Sequence, residues 1–333
     1  MSRGLRLLRG ALLTLLVLGL IEAGARVSVG NVARLPAFFK ANSEGPGYGL
    51  TPGRHRYWHR DRAITVEIEA SGFRRVPGAP ATAPRTIWLI GDSQVFGWGL
   101  DDRETIATRL QALLGPTAKV VNAGMPGYGP VAYTRVIRTA PADAVSVVMF
   151  TETNDGQDAF STETFGMAHC GILVAPEGIG RSLPCWFLRS HLFSTAVDLR
   201  NVIAPSQLAP PLNCNPTLRS SSAVIATRIR DTEDVLDKVT AGRALTATVP
   251  WDARLEAKRL RDYVPRLNKV ACNWHFPDRL GLVPHLTAHS DGGQLFQHQD
   301  HHLSARGADA VARHLAARLA ARPEPAAQAP AAD

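Results

Sequence analysis

Between Arg85 and Phe150 continuous apolar runs alternate with amphipathic ones, and this rhythm predicts strand, helix, strand, helix, strand. The runs at 86–90, 119–122 and 144–150 read as buried strands. Ile106, Leu110, Leu113 and Leu114 recur three and four residues apart, which puts one apolar face on a helix over 103–114; a second helix is predicted over 131–139. Such alternation implies a parallel sheet with helices on both sides. The fold class is therefore α/β: a three-layer α/β/α, flavodoxin-like arrangement with a parallel sheet of about five strands, whose ligands collect at the strands' C-terminal edge.

After Asn154 the rhythm stops, and it resumes only at the apolar strand 244–249. Long connections without their own elements are uncommon unless functional, so 156–243 reads as an insertion at the rim of the site. A helix over 253–264, a short strand near Leu282 and a last helix over 305–319 complete the pattern, with Gly307 weakening the first turn of that last helix. Upstream, 30–84 is rich in Gly, Pro and Arg and has one alternating piece, Ile64 to Ile68, that predicts an edge strand; the segment is a stalk or lead-in. The α/β domain thus runs over 85–322, and the Pro- and Ala-rich tail 323–333 is expected to be disordered.

At the start, Arg3, Arg6 and Arg9 precede an apolar stretch from Gly10 to Ile21, the pattern of an export segment over 1–29. Ala23-Gly24-Ala25 offers a cleavage site. Glu22 and Arg26, four apart, instead pair on a helix that continues to Val29, and this favours an uncleaved anchor. Either outcome places the remainder outside the cytoplasm, anchored to the membrane or secreted after cleavage.

That placement gives meaning to Cys170, Cys185, Cys214 and Cys272. Four cysteines in an oxidising compartment predict two disulfides, with three possible connectivities; proximity favours Cys170 with Cys185 and Cys214 with Cys272, and four buried thiols are the alternative. A net charge of +8 invites a nucleic-acid partner, but the arginines are scattered and no binding motif or aromatic-interleaved basic stripe occurs, so none is expected. Cys272 and His275 have ligand-like spacing without a second half, and His298, Asp300, His301 and His302 are crowded within five residues, so no metal is expected. His285 and His289 read as surface residues. Nothing in the sequence speaks to oligomeric state.

The chemistry begins at Gly91-Asp92-Ser93, where the first buried strand ends, and continues at Asp300-His301-His302 far downstream. Ser, Asp and His in that chain order can support nucleophilic acyl transfer. No Gly-x-Ser-x-Gly elbow is present, which argues against an ordinary α/β-hydrolase. Gly72-Phe73-Arg74, the block Gly91-Asp92-Ser93-Gln94-Val95-Phe96-Gly97-Trp98-Gly99, Val121-Asn122-Ala123-Gly124-Met125-Pro126-Gly127 and Glu152-Thr153-Asn154-Asp155 follow in order. Together they resemble the SGNH hydrolases, the GDSL esterases and lipases, and most of all their membrane-anchored bacterial branch. The resemblance spans 72–319 and fades between Asp155 and Asp300.

The resemblance implies Ser93 as nucleophile, His302 as base and Asp300 as its carboxylate partner, with His301 the alternative base. It implies an oxyanion hole of the Ser93 and Gly127 amides and the Asn154 side chain, with Gly124 in reserve. Two positions depart from the pattern: Glu152 replaces a usual glycine, and Gln299 stands where the acid of the better-known Asp-x-x-His spacing would be. The implied activity is hydrolysis or transfer of an ester-linked acyl group, acetyl above all, on cell-envelope or exported carbohydrate, with no cofactor. Lipid ester or thioester hydrolysis, and an inactive glycan-binding or scaffolding member, are the alternatives.

Overall fold

A computed structural model describes residues 3–29, 36–41, 47–59, 62–151, 155, 167–174, 179–194, 196, 234, 237, 244–249, 278–288, 295–297 and 302–321. The expected helix at 253–264, the tail, Cys214, Cys272, His289 and most of the 156–243 insertion lie outside the described residues. The chain divides into two compact units, Met1–Gly72 with Gly166–Asn213, and Phe73–Phe165 with Cys214–Asp333.

The first unit opens with helix α1 (Arg3–Val29), long and apolar enough over Gly4–Val27 to cross a membrane. Strands β1 (Phe39–Ala41) and β2 (Tyr48–Leu50) pair antiparallel, as do β3 (Gly53–His59) and β4 (Arg62–Ile68). The expected edge strand lies within β4, whose Ile64, Val66 and Ile68 are buried at alternate positions. Its partner β3 reads Gly-Arg-His-Arg-Tyr-Trp-His, which carries no alternating apolar signal and was not anticipated. Within the insertion, β8 (Met167–His169) and β9 (Ile172–Val174) form a hairpin, followed by helix α5 (Cys185–Leu188). A Cys170–Cys185 disulfide ties the hairpin turn to α5, as expected from proximity.

Among the described residues the second unit has four parallel strands, β5 (Arg85–Gly91), β6 (Ala118–Gly124), β7 (Val145–Thr151) and β10 (Leu245–Val249), in the order β10-β7-β5-β6. Chain order reverses at β5, the flavodoxin-like arrangement, so the C-terminal ends of β5 and β7 border the crevice where such sheets bind ligands. One face of the sheet, with Ile87, Leu89, Val147, Met149 and Leu245, is buried with helices α3 (Ile106–Leu114), α6 (Leu282–Ala288) and α7 (Ala305–Ala320). The opposite face carries Trp88, Ile90 and Phe150, and Tyr133 of α4 (Pro130–Arg138) packs on Phe150 with ring centroids 6.1 Å apart. Three layers result.

Four details correct the sequence reading. Leu113 is 46% exposed; the buried face of α3 runs instead through Ile106, Ala107, Leu110 and Gln111. Gln111 earns its burial through hydrogen bonds that join α3 to β6, donating to the Ala118 carbonyl and accepting from the Val120 N–H. The strand expected near Leu282 is helix α6, because the Asp278 carboxylate accepts the Leu282 N–H at 2.8 Å and starts a helical turn. His285 is half-buried and stacks on His314 at 4.3 Å, rather than lying free on the surface.

Gly307 is the fourth. A Cβ there would overlap the Leu295 carbonyl, so the glycine that weakens α7 is what lets the 295–297 segment lie against its first turn. The Ser304 hydroxyl caps the same turn by accepting the Gly307 N–H at 3.1 Å.

Candidate active site

At the C-terminal end of β5, Asp92 ends the strand and caps α2 (Ser93–Phe96), the single turn that carries Ser93. The buried Asp92 carboxylate accepts the Gln94 N–H at 2.8 Å and the Thr151 hydroxyl at 3.1 Å, so the turn is held to the end of the neighbouring strand β7. A carboxylate here also suits the positive end of the turn. Ser93 itself is half-buried.

The opposite end of α2 is held by Arg74, which is 1% exposed. Its guanidinium donates to the carbonyls of Phe96 at 3.0 Å, Gly97 at 2.8 Å and Leu100 at 2.6 Å, and pairs with Asp102 at 2.9 Å. It also lies over the Phe96 ring, 5.0 Å from the centroid. The Phe96 carbonyl is at the end of a one-turn helix and has no intrahelical donor, and the Gly97 and Leu100 carbonyls belong to the chain that leaves it, so a five-donor planar fork holds the helix end and its exit together. Arg74 is one of many arginines in the lead-in and adjoins Arg75, so no local pattern in the sequence marks it as the buried one.

Gly124 closes the third side. Gly91 and Gly124 are paired in the sheet register, and a Cβ at Gly124 would overlap the backbone of Val95 and Phe96, so only glycine lets β6 pass beneath the serine turn. Its N–H is already committed to the Asn122 side-chain oxygen at 3.2 Å. Gly127, three residues on, is half-buried in the turn that follows β6 with φ of +78°. Of the two candidate glycine donors, Gly127 is therefore the one whose amide is not used within the strand end.

His302 arrives from the other end of the chain: its Nε2 stands 2.8 Å from Ser93 Oγ, across 209 residues. The segment that presents it is a narrow antiparallel link, with Phe296 bridged to Leu303, Gln297 N–H donating to the His302 carbonyl at 2.8 Å and Ser304 N–H to the Leu295 carbonyl at 2.8 Å. Two buried or half-buried carboxamides lock it to the serine turn. Gln94 accepts the Leu303 N–H at 2.9 Å, and the Gln297 side chain donates to the Trp98 carbonyl at 2.7 Å and to the Leu303 carbonyl at 3.0 Å. Trp98 lines the histidine's other side at 6.3 Å between rings. Neither glutamine was anticipated, since nothing in a sequence links position 94 to position 303.

Asp155 is fully buried and accepts the Thr151 N–H at 2.7 Å, from the end of β7, and the Tyr133 hydroxyl at 2.9 Å. Asn154 immediately precedes it in sequence. Asn154, Glu152, Gln299, Asp300 and His301 lie outside the described residues, so of the expected site residues Ser93, Gly127 and His302 are the ones described, and Ser93 and His302 are in direct contact. Near the disulfide, His169 and the two bonded cysteines cluster within 4.8 Å, but both sulfurs are committed to each other.

No family model and no curated protein matches the chain. Solved structures do resemble it. One is a member of the lipolytic protein G-D-S-L family from Veillonella parvula, at 10% identity and TM-score 0.36 over 72% of this chain and 100% of that one. The lipase Lip_vut3 from a goat rumen metagenome overlaps at 12% identity and TM-score 0.33, covering 70% and 97%. A Corynascus thermopiles carbohydrate esterase family 2 enzyme with a carbohydrate binding domain overlaps at 16% identity and TM-score 0.31, covering 85% of each. At such identities and scores these neighbours assign no role to this chain's residues.

Proposed function

We propose that this chain is a serine ester hydrolase of the SGNH type, and the 2.8 Å contact between His302 Nε2 and Ser93 Oγ is the observation that carries the reading. A serine hydroxyl is a poor nucleophile at neutral pH unless a base can take its proton. In this reading His302 takes the proton as Ser93 Oγ bonds to the acyl carbon, and Asp300 stabilises the imidazolium that forms. The carbonyl oxygen becomes an oxyanion facing the Ser93 and Gly127 N–H groups and the Asn154 side chain. On collapse the ester C–O bond breaks and His302 returns the proton to the departing alcohol. Water, deprotonated by the same histidine, then cleaves the acyl-enzyme and releases the acid; an acceptor alcohol in place of water gives transfer.

The finer assignment is deacylation or acyl transfer on cell-envelope or exported carbohydrate, acetyl esters first, by a protein held at the outer face of the inner membrane through α1. It is supported by the exported N-terminus and by the Gly-Asp-Ser, Asn-Asp and Asp-x-His blocks of the sequence. The test is turnover of short- and long-chain p-nitrophenyl esters and of an acetylated glycan by the purified chain, with Ser93→Ala as control. Short-chain and acetyl-glycan turnover that vanishes in Ser93→Ala is expected. Preference for long acyl chains would reassign the enzyme to lipids, and no turnover of any ester, or turnover unchanged in folded Ser93→Ala, would sink the hydrolase reading.

A further inference from the structure

We infer that an aromatic row in the first unit, Phe193, Phe187 and Trp186, seats that unit on the lipid headgroup interface beside the point where α1 leaves the membrane. The inference rests on α1 being kept as a span, and that part of it is read directly from Glu22. This carboxylate accepts the backbone N–H groups of His191 at 3.2 Å and Leu192 at 3.0 Å and pairs with Arg26 at 2.8 Å. Cleavage at Ala23-Gly24-Ala25 would remove a group that the folded unit uses to satisfy two backbone donors. A hydrocarbon layer takes about 20 helical residues, so a span that begins near Leu5 ends close to Glu22. Residues 191 and 192 are therefore at the membrane's outer boundary.

From there the rings run outward. Phe193 follows Leu192 directly, its ring is 5.5 Å from Phe187, and Phe187 is 5.9 Å edge-on from Trp186. Trp186 is 75% exposed, the most solvent-accessible large apolar side chain among the described residues apart from Val27 of α1 itself. An indole left in water costs apolar hydration, whereas at a bilayer interface its ring meets the acyl boundary and its N–H the headgroups. The segment is stiffened by the Cys170–Cys185 disulfide one residue before the indole. Arg181 and Arg189, both exposed on the same stretch, bring positive charge to the level of phospholipid phosphates.

The experiment reconstitutes the full chain, wild type and Trp186→Phe, into vesicles of phosphatidylcholine and phosphatidylglycerol with or without acyl-brominated lipid, after checking that both co-sediment with vesicles through alkaline carbonate. Bromolipid is expected to quench a component of wild-type tryptophan emission that is missing from Trp186→Phe, while turnover of a soluble ester is the same in both. Equal quenching of the two co-sedimenting proteins would overturn the inference. So would shielding of Trp186 from aqueous acrylamide that appears only at high protein density without bromolipid quenching, which would assign the row to a second copy of the chain. Failure to co-sediment would remove the span reading and the interface with it, and would leave the proposed hydrolase activity standing.

Discussion

The Gln94 side-chain oxygen accepts the Leu303 N–H at 2.9 Å, so the residue after the candidate nucleophile holds the residue after the candidate base. This one bond couples the position of the serine turn to that of the imidazole, because Gln94 and Ser93 share α2 and Leu303 and His302 share the bridged segment. Gln94→Leu keeps volume and removes the acceptor, leaving a buried N–H unsatisfied at a cost of about 1–3 kcal/mol. The expected result is a fall in kcat with KM little changed, persisting at low temperature where the variant is fully folded. Gln94→Glu, which restores an acceptor, should recover part of it. A loss that disappears whenever the variant is folded would mean that Gln94 only supports stability.

Asp300 is the candidate acid partner of His302, and its spacing departs from the better-known pattern. Asp300→Asn keeps shape and removes charge, and turnover should drop by orders of magnitude, up to about 10⁴-fold, with substrate binding nearly intact. Gln299→Ala should matter little. His302→Ala should be nearly as severe as Ser93→Ala and His301→Ala much milder. If kcat falls further in His301→Ala than in His302→Ala, the assignment of the base is wrong.

Arg74 tests how far the serine turn depends on its buried support. Removing one partner of a buried ion pair typically costs about 3–5 kcal/mol, and here the Phe96, Gly97 and Leu100 carbonyls would each also lose a guanidinium N–H. Arg74→Ala should lower Tm sharply. Arg74→Lys keeps the charge but not the planar fork, so it should remain clearly destabilised and lose activity before it unfolds. Wild-type Tm in Arg74→Lys would show that charge alone is enough.

For the disulfide, thiol counting without reductant should find neither Cys170 nor Cys185 alkylatable in the native chain. The bond closes a loop of sequence separation 15, for which the chain-entropy model gives about 3 kcal/mol, so Cys170→Ser with Cys185→Ser should unfold at lower denaturant while soluble-ester turnover changes little. Ready alkylation of both thiols in the untreated protein would contradict the oxidised pairing.

Periodic, local signals were legible in the sequence itself. The strands at 85–91, 118–124 and 145–151 and the helices at 106–114, 130–138 and 305–320 all follow from apolar spacing, because burying one face demands the same pattern in any surroundings. Ser93 and His302 were legible as residue types in a workable order, and proximity pointed to the Cys170–Cys185 pair. What only the tertiary structure decided was every role that depends on close approach between distant segments. Gly124 looks like a spare amide donor and Gly307 like a weak helix start until the backbone crossing each of them is known. Gln94, Gln297, Arg74 and Asp155 are polar residues whose burial no local pattern announces, since each is made tolerable by partners brought together only on folding. Short-range order fixes where an element starts; which polar atoms meet across the sheet's edge is settled by packing, and that is where the chemistry of this chain is held.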